Sequence, residues 1–249
     1  MVCNSAFPLD LEATALRKFD SLVEKGEILY ERPRTSIFQF DITPALTKKP
    51  ILPPDDPGRS KPIGPFVDPP EEWILARLGQ SHKLILNKYC VYRPMLILHT
   101  TLFVPQTNDL DESDLTAAWA ILRQMETPQM IIYNCDVETS ISGVPFMHFV
   151  VRLPEQSSAE MVHTQYERLL GMTKDALKIA DAGTDYNLIL VSEWMVLIPR
   201  RKKGWGPFIA NAANMVGSLW LRSEEQRDEM LEQPLLDMLA ELGIPLKRI

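Results

Sequence analysis

Apolar positions in the 249-residue chain fall into two periods. Between 9 and 26, Leu9, Leu11, Leu16, Phe19, Leu22 and Val23 recur at helical spacing, and Gly26 suits a C-cap, so the stretch predicts an amphipathic helix. Ile28 to Tyr30 suits a short strand or an extension of that helix. Thr35 to Ile42 (TSIFQFDI) alternates and predicts a strand that Pro44 ends. Pro70, Glu71 and Glu72 predict the start of a short helix over EEWILARLG. Leu84 to Leu86 and Met95 to Leu98, separated by Tyr92, Arg93 and Pro94, predict a β-hairpin. Asp111 or Ser113 caps a helix running to Met125, with acids in its first turn.

From Tyr133 to Pro154 the chain reads YNCDVETSISGVPFMHFVVRLP: an apolar run, a polar turn with Ser140, Ser142 and Gly143, then a second apolar run holding His148. This predicts strand, turn, strand, with His148 on the same strand face as Phe146, Val150 and Arg152. A helix is expected over about 158–181, with Met161, Leu169, Leu170, Leu177 and Ile179 inward and with Gly171 and Thr173 weakening its middle. Tyr186 to Val191 and Trp194 to Ile198 predict two more strands around Ser192 and Glu193. Residues 208–222 suit either a strand and turn or a tightly packed helix end. Ser223 or Glu224 begins a helix, and 234–242 forms another. Helices mixed with antiparallel strand pairs predict the α+β class, an antiparallel sheet flanked by helices.

Composition narrows the picture. Hydrophobic residues make up 45% and charged residues 24%, a balance that suits a soluble globular chain. No apolar run approaches the ~18 residues of a membrane span, and the N-terminus lacks the pattern of a secretory signal. Cys3, Cys90 and Cys135, an odd and widely spaced set, fit reduced thiols in the cytoplasm, with the nucleus also open, better than disulfides or a zinc site. Twenty-six basic residues against 33 acidic ones give a net charge of −7, which disfavours a nucleic acid polymer as partner. A small polyanion stays compatible, since a few local cations and backbone N–H groups hold phosphates. Among 20 prolines many cluster at 50–72, predicting a long loop that is either a surface excursion or a binding lid.

Few motifs carry chemistry. P-loop, GxGxxG, HExxH, CxxC and GxSxG patterns are absent, and His82, His99 and His163 show no metal spacing. His148 reads either as a buried structural histidine or as a nucleophile beside a small-residue turn that aims N–H groups at a phosphate. With a free pKa of about 6.5, an imidazole needs no activation to attack phosphorus at neutral pH. Lys88, the Lys48–Lys49 pair and the RRKK run at 200–203 are each a solvated charge or a phosphate clamp.

Three segments resemble one family. These are FDITPALTKKP, HKLILNKY with the helix after it, and above all DYNLILVSEWMVLIPR. They are similar to the fungal-type ATP adenylyltransferases, also called diadenosine tetraphosphate (Ap4A) phosphorylases, relatives of the histidine-triad proteins. The resemblance implies a histidine-triad-like (GalT/HIT-type) architecture. It implies a single domain over 1–249, with an N-terminal part of about 1–155 and a C-terminal part of about 156–249. The family carries His-x-His-x-Gln after a serine/glycine turn, and its middle histidine is the nucleophile. Aligning Pro145-Phe-Met-His148 on Pro-His-x-His puts His148 at the nucleophile and replaces the other two polar positions by Phe146 and Val150.

The resemblance therefore implies a nucleotidyltransferase or phosphorylase that converts Ap4A and phosphate to ATP and ADP through a histidine–AMP intermediate. His148 would be catalytic. Asn134, Ser142 and Gly143 would bind nucleotide or phosphate, and Lys88 and Arg200 would clamp the polyphosphate. The partner would be an adenine nucleotide or a dinucleoside polyphosphate, neither a nucleic acid polymer nor a membrane. No cofactor is fixed, although Mg or Mn would neutralise phosphate charge. Two alternatives stand beside this: a nucleotide-binding homologue without catalysis, or the same fold turned to another substrate in a specialised metabolic pathway.

Overall fold

The computed structural model describes residues 10–30, 40–49, 69–105, 108–125, 131–132, 144–205 and 208–246. Two antiparallel sheets share one helix between them. The first sheet holds β2 (Ile74–Leu78), β3 (His82–Leu86) and β4 (Leu96–Thr100), side by side in that order. The second holds, from edge to edge, β5 (Ile131–Ile132), β7 (Tyr186–Leu190), β8 (Trp194–Pro199) and β6 (Phe149–Arg152). Helix α2 (Glu112–Leu122) lies between them. Its Leu115, Trp119 and Leu122 join the core of the second sheet, while Ala117 and Ile121 join that of the first. Such a helix needs apolar residues on two faces, which the run AAWAIL supplies.

Helix α1 (Leu11–Glu24) covers the first sheet with Leu11, Ala15, Phe19 and Leu22, and Asp10 caps it by accepting from the Ala13 N–H. Helix α3 (Ala159–Ile179) covers one face of the second sheet. There Val162, Tyr166, Leu169 and Leu170 meet Leu188, Leu190, Met195 and Leu197. The opposite face, with Ile189 and Ile198, is covered by a C-terminal layer. This contains α4 (Ala212–Met215), α5 (Glu224–Leu231), α6 (Leu235–Leu242), and β1 (Phe40–Ile42) paired parallel to β11 (Leu219–Leu221). A small hairpin, β9 (Gly204–Trp205) with β10 (Phe208–Ile209), follows β8. Among the described residues no helix is long and apolar enough to cross a membrane.

The α+β class and the two hairpins follow the sequence expectation. Several local readings do not. EEWILARLG is a single 3-10 turn (Glu71–Trp73) running into strand β2. Nine residues make a marginal helix, and pairing with β3 outweighs the helix propensity of Glu, Leu and Ala. Helix α3 is unbroken: Gly171 sits in open space and the Thr173 hydroxyl donates back to the Leu169 carbonyl. Its Met161 and Ile179, expected inward, are exposed at the two ends of the helix. The long Tyr166 reaches the interior instead, its hydroxyl 2.7 Å from that of Tyr186. Helix α2 stops at Leu122, short of Met125, and Asp111 is its cap, in a capping box with Asp114. The parallel β1–β11 pair joins ends of the chain that no local pattern links. Of the 50–72 loop, residues 50–68 lie outside the described residues.

Candidate active site

Strand β6 pairs with β8 in a simple register, Phe149 opposite Leu197 through Arg152 opposite Trp194. One residue before that pairing, the two chains part. The Met147 N–H donates to the Ile244 carbonyl at 2.7 Å, the Leu246 N–H donates to the Pro145 carbonyl at 3.3 Å, and Phe146 bridges to Pro245. On the β8 side, Arg200 bridges to Gly243, and the Arg201 N–H donates to the Leu242 carbonyl at 2.8 Å. The segment after α6 thus fills a fork in the sheet. His148 stands at the fork's apex, ahead of β6 and not within it.

Burial alternates as the sequence implies: Phe146, His148 and Val150 are buried, whereas Met147, Phe149 and Val151 are half-buried. Arg152 departs from this rhythm and is exposed, because β6 ends there against the β7–β8 turn. Phe146 packs among Phe40, Ile42, Met238 and Leu242, while Val150 belongs to the core under α3.

His148 is 5% exposed, and its Nδ1 lies 2.8 Å from the Phe146 carbonyl oxygen. A carbonyl oxygen only accepts, so this bond exists only when Nδ1 carries the proton. In the neutral ring the lone pair is then on Nε2. The Phe146 ring sits edge-on to the imidazole, with centroids 6.2 Å apart.

Arg200 lies at the same end of this sheet, turned inward. Its Nη1 donates to the Ala210 carbonyl at 2.9 Å, and Nη2 is 3.8 Å from Asp185. Burial pushes its guanidinium below its ordinary pKa, against the pull of Asp185. Its Nε is buried with no hydrogen-bond partner among the described residues. Lys88 lies on the other sheet, in the turn after β3, and is exposed. Asn87 shapes this turn: its side-chain oxygen accepts from the Tyr89 N–H at 3.0 Å, and its own N–H donates to the Met95 carbonyl at 2.8 Å. Buried Cys90 and Val91 anchor the turn, so Lys88 projects outward, its Nζ 6.0 Å from the Tyr89 ring centre. Asn134, Ser142 and Gly143 lie outside the described residues.

Two features escape sequence reasoning. Asn187, fully buried in β7, donates to the same Ala210 carbonyl at 3.1 Å, and its Oδ1 has no partner among the described residues. Its one signal is a lone amide inside the apolar run YNLIL. The second is a buried carboxylate, Asp41, which accepts from the Tyr92 hydroxyl at 2.7 Å and from Ser218 at 3.2 Å, with Trp220 edge-on to Tyr92. An aspartate inside FDI is its only signal.

Comparison with known proteins identifies the family. The profile of the Ap4A phosphorylase N-terminal domain matches residues 38–164, and that of the ATP adenylyltransferase C-terminal domain matches 142–245. The chain belongs to the Ap4A phosphorylase family. The two profiles overlap on 142–164, the stretch that carries His148. Among individual relatives, diadenosine 5',5'''-P1,P4-tetraphosphate phosphorylase 2 of Saccharomyces cerevisiae is 23% identical over 277 aligned positions, covering 85% of either chain. Protein APA1 of the same yeast is 22% identical and covers 96% of either chain. The crystal structure of yeast Ap4A phosphorylase Apa2 in complex with Ap4A superposes with a TM-score of 0.71 at 20% identity, over 96% of this chain and 99% of that one. The Apa2 complex with AMP gives 0.70 at 21% identity, over 96% and 98%. At that identity the likeness establishes the fold.

Proposed function

We propose that the protein is a nucleotidyltransferase of the phosphorylase type, acting on diadenosine polyphosphates through His148. One observation carries this reading: the Nδ1–H to Phe146 carbonyl bond, which leaves the Nε2 lone pair as the nucleophile. Where the family resemblance expects a histidine side chain at 146, the main-chain carbonyl of the same residue takes over the orienting role. Nε2 attacks the α-phosphorus of Ap4A, the bond to the bridging oxygen breaks, and ATP leaves with that electron pair. The ring, now bonded to AMP and still protonated on Nδ1, carries positive charge. Its bond to the Phe146 carbonyl strengthens to the ~1.5–3 kcal/mol of a charged hydrogen bond. An oxygen of inorganic phosphate then attacks the same phosphorus, the P–N bond breaks, and ADP departs while the lone pair returns to Nε2.

Asn134, Ser142 and Gly143, which precede His148 in the sequence, would supply donors to the phosphates. Lys88, held outward by its turn, would neutralise the polyphosphate, whereas Arg200, turned inward to Ala210 and Asp185, would brace the sheet end. Among the described residues no group of three or more His, Cys, Asp or Glu side chains converges on a metal site, and no step is assigned to one.

Burial of His148 at 5% exposure and the core positions of Phe146 and Val150 favour a second reading, nucleotide binding without turnover. Incubation with Ap4A and phosphate, beside His148→Ala, separates the two. The first reading expects ATP and ADP from the wild type and none from the variant. Equal turnover in both removes His148 from the chemistry, and binding of Ap4A by both with no product selects the second reading.

A further inference from the structure

We infer that Gly243 is a positioning residue for His148, acting through the carbonyl of Phe146; the inference builds on the proposed role of His148 as nucleophile. Gly243 caps α6 with φ −90° and ψ −164°, a conformation open to any L-residue, so backbone freedom is not what the position requires. It requires the absence of a side chain. A Cβ on residue 243 would lie 2.6 Å from the Phe146 Cβ and 2.9 Å from its Cγ. The atom met is the first carbon of the Phe146 side chain, not a flexible end, so relief has to come from the main chain at 146 or 243. The deficit is about 0.8 Å relative to the ordinary contact that begins at 3.4 Å.

The main chain at 146 is the part of the fork that matters for His148. Its carbonyl accepts from Nδ1 at 2.8 Å, and the residues on either side are tied to the segment after Gly243, Met147 by its N–H and Pro145 by its carbonyl. A shift of the size the clash demands takes that 2.8 Å bond to the limit of a hydrogen bond. The bare α-carbon of Gly243 therefore lets the C-terminal segment seat close enough to hold the Phe146 carbonyl where it fixes the tautomer of His148.

The test reads the tautomer directly. Long-range proton–nitrogen NMR correlations on the neutral ring of His148, assigned by loss of the signal in His148→Ala, distinguish Nδ1–H from Nε2–H. In the wild type His148 is expected to be Nδ1–H. In Gly243→Ala the ring is expected to become a mixture, with kcat on Ap4A falling roughly 10²-fold, as misplacement by about 1 Å does, and KM moving by less than about 3-fold. Gly171→Ala, whose Cβ enters open space, leaves tautomer and kcat unchanged. If Gly243→Ala does not fold, Leu246→Pro, which replaces the N–H given to the Pro145 carbonyl by a ring carbon and so loosens the same fork from its other side, is expected to shift the ring the same way. A wild-type ring that is Nε2–H overturns the inference, as does a folded variant with an unchanged tautomer. The NMR readout does not depend on turnover, so a chain inactive on Ap4A sinks the proposed activity and leaves this inference to be judged on the spectra.

Discussion

The two sheets each bury one histidine, and they hold it in opposite ways. His82, 3% exposed on β3, has both ring nitrogens taken by side chains: Nδ1 is 2.9 Å from the Ser81 hydroxyl and Nε2 is 2.7 Å from the Asp114 carboxylate of α2. A carboxylate accepts, so its neutral ring carries the proton on Nε2, and the residue works as a joint between strand and helix. His148 carries its proton on the other nitrogen, given to a main-chain carbonyl, and Nε2 keeps the lone pair. Equal burial thus hides different chemistry. What separates the two imidazoles is which nitrogen carries the proton, Nε2 in His82 facing a carboxylate and Nδ1 in His148 facing a carbonyl.

The largest effect that tests this contrast comes from removing each ring. His148→Ala should lower Ap4A turnover by about 10³-fold or more with a small loss of stability. His82→Ala should keep turnover within about 10-fold while costing about 1–3 kcal/mol, because the Oδ1 of Asp114 loses its imidazole partner. Calorimetry should place the resulting fall in Tm at about 2–4 °C per kcal/mol for a chain of this size. A folded His82→Ala protein without activity breaks the contrast.

The two cations sharpen it next. Arg200→Ala leaves the Ala210 carbonyl with one donor fewer and Asp185 without its cation, and should cost about 1–3 kcal/mol. Exposed Lys88→Ala should leave Tm unchanged and raise KM for Ap4A roughly 10-fold, the loss of about 1.4 kcal/mol of binding. The reverse pattern would mean that the inward cation, not the outward one, meets substrate.

A smaller effect concerns Cys90, under the first sheet. Burial pushes its thiol from 9.0 up to about 12. The folded state therefore favours the protonated form. That contribution to stability is complete below pH 9 and is lost as pH rises from 9 towards 12. Thiol reagents at about pH 8, below the free thiol's ordinary range, should label Cys90 only on unfolding, and rapid labelling of the native protein would show the sheet to be open. The smallest effect is that of Gly171→Ala on stability, expected within about 1 kcal/mol and in the stabilising direction.

Much of this architecture is legible in the order of residues alone, and what is hidden there is hidden for physical reasons. Helix α1 and the β3–β4 and β7–β8 hairpins announce themselves locally through periodicity, and the cap of α2 narrows to Asp111 or Ser113, of which the structure uses Asp111. Strand β2 has the composition of a helix, because its identity comes from pairing with β3, which composition does not encode. The family is signalled above all by DYNLILVSEWMVLIPR. Apart from the bare α-carbon of Gly243, the fork around His148 leaves little trace in the side chains, since main-chain bonds join 145–147 to 243–246. For the same reason, the pattern points to side chains at 146 and 150 for support of the imidazole, and the support lies in a carbonyl. Arg200 stands in a basic run, yet strand alternation alone does not show that it turns inward to Ala210.

In the proposed reaction Nε2 of His148 forms a covalent bond to AMP. Brief incubation with Ap4A and no phosphate, followed by quenching under alkaline conditions and peptide mass spectrometry, tests it most directly. An AMP adduct is expected on the peptide containing His148. Added phosphate should discharge it as ADP, and His148→Ala should not form it. Production of ATP and ADP with no adduct on that peptide, or with an adduct on the peptide of His82, would contradict it.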